Sequence, residues 1–286
     1  MLGDIAIEAA ILRTLVYAAS IAAAGACLFA ATFPAAARTV TAALRAQILV
    51  GFLLLVCVEP IRWVVFQLAI SGGDAELAFA PDMRWMFLQM PNGKAAIARL
   101  AGVGLIAAVG LRIPWLGLLG CGLAIGSFAL EGHTAAAAQS WWAGMILLVH
   151  VAIAHWWLGA LYPLAAFVRA QPKTTLARTV TRFGQLASKL VPLLLAAGGL
   201  LFGVLVGWRL ELGDPYQTLV AIKVMGVVAL LALAALNKFF LTPRLRNKPV
   251  RTAKTLRGSI SAELLVAFFI LVLTGFITAT SPGGVH

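Results

Sequence analysis

Residues 217–242 read QTLVAIKVMGVVALLALAALNKFFLT, with Lys223 as the lone charge before Lys238 near the far end. A helix that crosses a bilayer core needs about 20 mostly apolar residues, so this stretch is long enough to cross once. Barrel strands alternate apolar and polar positions over about ten residues. This run is continuous and rich in Leu and Ala, so it is read as a helix. Stretches of the same kind occupy residues 5–33, 44–70, 93–112, 113–131, 141–169, 186–208 and 258–279. The sequence therefore predicts an all-α, polytopic integral membrane bundle with eight transmembrane helices, forming one domain over residues 1–286, with the lipid bilayer as its solvent.

The composition agrees: 62% of the residues are hydrophobic, 11% are charged and the mean hydropathy is +0.98. An average soluble domain carries about 25% charged residues, so a soluble enzyme is excluded. The net charge of +12 does not mark a nucleic-acid partner, because the charges are sorted by side. The connections after the first, third, fifth and seventh spans, with the adjoining span ends, hold Arg38, Arg45, Arg112, Arg169, Lys173, Arg178, Arg182, Lys189, Lys238, Arg244, Arg246, Lys248, Arg251, Lys254 and Arg257 and no acid. The opposite ends hold Asp4, Glu8, Asp74, Glu76, Asp82, Glu131, Glu211 and Asp214, against only Arg84, Lys94 and Arg209 at the span edges or beyond. Basic loops stay cytoplasmic, which predicts both termini outside. Met1-Leu2-Gly3-Asp4 lacks the positive region of a secretory signal, so the first span is expected to remain.

Pro114 separates the third and fourth spans with almost no connection, which predicts a tight hairpin, and Pro60 and Pro192 are expected to kink the second and sixth. Ser71-Gly72-Gly73-Asp74 opens the longest outer loop. There is no P-loop motif, which argues against ATP-driven pumping by this chain.

Polar residues kept inside lipid mark function. His133 stands at the outer end of span 4, His150 and His155 lie along span 5, and His286 ends the chain, so imidazoles occur at successive depths from the outside. Neutral imidazole ligates copper, zinc and iron. His150 and His155 are five apart, about 140° around a helix, and cannot chelate one ion together. Met83, Met86 and Met90 in the outer loop share a face if that segment is helical, and their soft thioethers favour Cu(I). The same segment also suits an interfacial helix anchored by Trp85 and Phe87. Glu59 and Arg62 are spaced to pair across Pro60, whereas Arg13, Arg62, Arg99 and Lys223 set four cations against one acid in the outer halves of their spans. Such a cluster suits an anionic ligand, a metal chelate or haem propionates, or long basic chains reaching the interface. Glu263 is expected to pair with the basic loop before it. Cys27, Cys57 and Cys121 all fall within spans; the ordinary role of such thiols is apolar packing.

Several of these residues, in order, resemble the bacterial copper resistance protein D family. They are Gly93 with Arg99, Gly132-His133-Thr134-Ala135, His150 followed by Trp157-Leu158-Gly159-Ala160-Leu161, Arg182-Phe183-Gly184, then Tyr216, Leu219, Lys223 and Asn237, and finally Arg257 with Glu263. The resemblance covers residues of about 90 to 282. Gly184 stands where the family has Ser, and His155 where it has a small apolar residue. The resemblance implies an inner-membrane protein that takes up copper from the periplasm, with a small copper-binding periplasmic partner of the copper resistance protein C type. The expected path runs from Met83, Met86 and Met90 to His133, then to His150 and His155, with Cys121 and Cys27 toward the cytoplasm. Two other classes stay open. One is a b-type haem or quinone redox protein using His150 or His155, with His133, Met145 or Met225 as a second ligand and Arg99 and Lys223 on propionates. The other is a scaffold that delivers copper without a continuous path.

Overall fold

The computed structural model describes residues 4–131, 140–170, 173–208, 213–245 and 249–280. These residues are helical almost throughout and include no strand. In chain order the helices are α1 (Asp4–Thr32), α2 (Pro34–Thr39), α3 (Thr41–Ile70), α4 (Ala75–Ala78), α5 (Pro81–Gln89), α6 (Pro91–Leu105), α7 (Pro114–Gly126), α8 (Ser140–Ala170), α9 (Lys173–Val206), α10 (Pro215–Leu236) and α11 (Pro249–Ala279). π-Helical turns extend α6 over Ile106–Gly110 and α10 over Asn237–Leu241, and a 3-10 turn extends α7 over Ser127–Leu130.

Seven helices among the described residues are long and apolar enough to cross a membrane, which makes the chain a polytopic helical membrane bundle. The stretch expected as an eighth span, Pro114–Leu130, is a shorter apolar helix. At 1.5 Å per residue it reaches about 25 Å, less than a hydrocarbon core of about 30 Å. The expected hairpin between α6 and α7 is present, closed by the turn before Pro114. Helices α3 and α9 continue unbroken past Pro60 and Pro192, and α8 past Pro163.

Two helices begin well before their expected spans. α9 starts at Lys173, where the buried residues Leu176, Val180 and Phe183 recur at spacings of four and three among exposed basic residues. α11 starts at Pro249, with Thr252, Leu256 and Ile260 buried at intervals of four. Each segment is amphipathic, so its packed face makes it helical although its charges keep it out of lipid.

α1 lies at the centre, packed against α3, α7, α8 and α11. Small residues set how closely its neighbours approach, as expected where lipid removes the hydrophobic drive between helices. At the crossing with α8, a Cβ on Gly25 would stand 2.6 Å from the His155 carbonyl oxygen and collide with the Cα of Gly159. Gln47 of α3 ties this crossing by donating to Ala22 O at 3.0 Å and Gly159 O at 2.9 Å.

Gly25→Leu must separate two backbones and is expected to destabilise the bundle by about 3 kcal/mol or more, at or beyond the upper range of overpacking. Gly122→Leu, at a position with nothing within 4 Å of its Cβ, is the control and should melt like the parent. Thermal unfolding in detergent, followed by the loss of monodisperse protein, makes the comparison.

Candidate metal centre

At the end of the bundle where α1 begins, four charged side chains form a closed ring. The Arg99 side chain is fully buried between α3 and α7. Its Nε donates to Ser127 Oγ at 3.0 Å, one terminal nitrogen to Glu59 Oε1 and the other to Glu131 Oε1 at 3.0 Å. Arg62 completes the ring, donating to Glu59 Oε2 at 3.0 Å and Glu131 Oε2 at 3.3 Å. The Phe128 ring lies 4.6 Å from the Arg99 guanidinium carbon. The expected Glu59–Arg62 pair is present, but as half of a larger unit. Two guanidiniums face two carboxylates, so the expected excess of four cations over one acid is not what is built. Among the described residues neither Arg13 nor Lys223 takes part in an ion pair. Glu131 is the functional residue that sequence reasoning missed. It follows the 3-10 turn Ser127–Leu130 in extended conformation, and no local spacing in the sequence aims it at Arg99.

Phe128 also touches His155, with ring centroids 5.7 Å apart. His155 is 2% exposed. Its Nδ1 lies 2.8 Å from Val151 O and its Nε2 2.9 Å from Ser20 Oγ. A carbonyl only accepts, so Nδ1 carries the proton and Nε2 presents its lone pair toward α1, where the Ser20 hydroxyl donates to it. His150 points elsewhere: Nδ1 donates to Leu194 O of α9 at 3.0 Å, and the ring packs over Gly198. The two histidines therefore serve different interfaces, as their spacing predicts, and each is held through Nδ1 by a backbone carbonyl, with His155 Nε2 engaged by Ser20. A metal-ligating histidine commonly donates its other ring N–H to a backbone carbonyl, which is the arrangement at both. Among the described residues no three His, Cys, Asp or Glu side chains converge on one point. His133 and His286 lie outside the described residues.

Above the ring sits α5. Phe87, its buried anchor, stacks on Trp63 at 5.8 Å and meets Phe66 at 5.6 Å, and Gln67 donates to Met83 O at 3.1 Å. Trp85, expected to help anchor the segment, is 65% exposed. Met83 and Met86 are on α5, but Met90 is the extended residue that ends it, so a single helical face does not hold all three. A cavity of ≈ 220 Å³, lined among others by Arg13, Glu59, Arg62, Trp63 and Phe87, joins α5 to the ring. At the other end of the bundle Glu263 accepts from Asn237 Nδ2, and among the described residues it does not make the expected ion pair with the basic loop. Arg257, Lys254 and Arg251 are exposed, so their charges stay at the surface. Met145 and Met225, considered as haem ligands, are 58% and 71% exposed on the outside of the bundle. Cys27 and Cys121 are both buried at the interface of α1 with α7.

Removing one member of a buried ion network strands its partners, at a cost of about 3–5 kcal/mol. Glu59→Gln, which leaves the fully buried Arg99 short of one countercharge, is expected to lose stability in this range. Arg62→Gln should cost less, because the Arg62 side chain is 17% exposed whereas that of Arg99 is fully buried. Melting curves of the two variants check the order.

The family model for copper resistance protein D matches residues 177–277. The one for the copper resistance protein D-like N-terminal domain matches residues 5–145. Neither a curated protein nor a solved structure matches the chain. The N-terminal match takes in the first 90 residues, where the sequence offered no family motif. It covers α1, α3, α6 and α7, the helices that carry the charge ring, Ser20 and both buried thiols, and the C-terminal match covers most of α9, α10 and α11. With the two matched regions in order along one polytopic chain, this copper-related membrane protein belongs to the copper resistance protein D family.

Proposed function

We propose that the chain is a bacterial inner-membrane transporter, not an enzyme, that takes copper from the periplasmic side and passes it toward the cytoplasm by ligand exchange. Its basic ends face the cytoplasm, in keeping with the positive-inside rule, and both termini are periplasmic. The observation that carries this reading is His155. Its imidazole is held by Val151 O and turned so that Nε2 faces α1 just below the charge ring and Phe128. One rotation of the Ser20 hydroxyl about χ1 frees that nitrogen for a metal ion.

The remaining steps follow from position. Met83 and Met86 on α5, with Met90 beside them, offer soft sulfur at the periplasmic mouth. They would receive the ion from a small copper-binding partner of the copper resistance protein C type. His133 takes it next, His155 holds it at depth, and His150 serves the neighbouring interface with α9. The ring of Glu59, Arg62, Arg99 and Glu131 carries no net charge, so it neither traps a cation as an acidic cluster would nor repels it as a basic one would.

Copper uptake into vesicles containing the purified protein tests this reading. The parent is expected to speed copper entry. His155→Ala should slow it by about 100-fold, the scale of losing a ligand or its close support, and Met83→Leu/Met86→Leu should raise the copper concentration needed for half-maximal uptake. Transport by His155→Ala at the parent rate overturns the path. A parent that binds copper and never moves it makes the protein a delivery scaffold.

A further inference from the structure

Cys27 of α1 and Cys121 of α7 are neighbours across the contact between the two helices. Both residues are buried, at 3% and 2% exposure. Cys121 Sγ also lies 3.6 Å from Ala24 O, which fixes α7 against the same face of α1. Space for the Cys27 sulfur is made by Gly117, one turn before Cys121: a Cβ there would stand 2.7 Å from Cys27 Sγ and 2.7 Å from Gly110 O. The sequence alone offers two cysteines far apart in the chain. The fold makes them neighbours, with the Cys27 sulfur filling the place a Cβ on Gly117 would take.

The pair is aligned with His155. Ser20, which holds His155 Nε2, and Cys27 are seven residues apart on α1. Two turns of helix bring them to the same face about 10 Å apart along the axis. Cys121 lies on α7, and Phe128, which touches His155, follows in the 3-10 turn that extends it. α1 runs from the acidic end of the bundle to the basic end, so the thiols lie beyond His155 and nearer the basic end.

We propose that Cys27 and Cys121 form a buried two-coordinate site for Cu(I), the ion received there as a monovalent soft cation. The inference deepens the copper reading above and rests on it. Thiolate sulfur suits both Cu(I) and zinc, but Cu(I) is content with two sulfur ligands, whereas structural zinc takes four. Among the described residues no third His, Cys, Asp or Glu joins the pair. Binding forms two Cu–S bonds and breaks one S–H bond. The proton leaves to solvent and no electron is transferred, so a Cu(I) thiolate–thiol unit is electrically neutral in the low-dielectric interior. Because a proton is released, affinity rises with pH by about tenfold per unit while the thiol remains protonated in the free protein.

The test is anaerobic Cu(I) titration of the detergent-purified protein against a chromophoric Cu(I) chelator, with X-ray absorption of the copper-loaded parent. Expected are a two-sulfur shell and a loss of affinity beyond about 100-fold in Cys27→Ser and in Cys121→Ser, larger than outer-shell substitutions cause. Cys57→Ser, at the exposed third cysteine, should bind as the parent does. The absorption measurement uses the parent alone, so it stands even if a variant misfolds. Copper held only by nitrogen or oxygen overturns the site while leaving the copper reading intact. A Cys27→Ser/Cys121→Ser variant with parental Cu(I) affinity does the same. A parent that binds copper in neither oxidation state overturns both.

Discussion

The bundle depends on how closely other backbones come to α1. In lipid the helices gain nothing from hiding apolar surface, and contact has to come from packing and interhelical hydrogen bonds. Gly25 against Gly159, Gly51 against Ala19 O and Gly275 against Ala10 O let α8, α3 and α11 approach until backbone meets backbone. The side chains that matter chemically are consequences of that approach. Ser20 reaches His155 because α1 and α8 nearly touch one turn further on, and Cys27 neighbours Cys121 because Gly117 leaves space at the contact with α7.

The second organising element is the ring of Glu59, Arg62, Arg99 and Glu131. Desolvating one guanidinium in the membrane interior is costly, and here each carboxylate bridges both arginines. Three helices contribute, counting the turn after α7, so the ring closes only when α3, α6 and α7 are all in place. It acts as an assembly lock at the end of the bundle where α1 begins. Phe128 transmits its position to His155 by touching both.

Much of this was legible in the sequence, and the misses have physical causes. Hydropathy located the long helices because length and apolarity are what a bilayer selects. The 3.6-residue period separated His150 from His155, and the i, i+3 spacing paired Glu59 with Arg62. Hydropathy did not show that α9 and α11 start turns earlier, since their first turns are held by a packed face instead of by lipid. Contacts across the fold were the harder part. Glu131 joining Arg99, Glu263 joining Asn237 and Cys27 joining Cys121 depend on which helices are neighbours, and one sequence does not encode this in any local pattern. The break at Met90 was hidden too, because Pro91 starts a new helix and holds its predecessor extended.

The neutrality of the charge ring has an electrical consequence. A voltage across the membrane works on net charge, at about 2.3 kcal/mol per elementary charge per 100 mV across the full membrane. Two cations and two anions locked together feel almost no net force, so the ring keeps its shape whether the membrane is energised or not. A free monovalent ion below it has no such immunity. On the topology and path proposed above, an interior-negative potential would draw that ion toward the basic end of the bundle, past a ring that stays still.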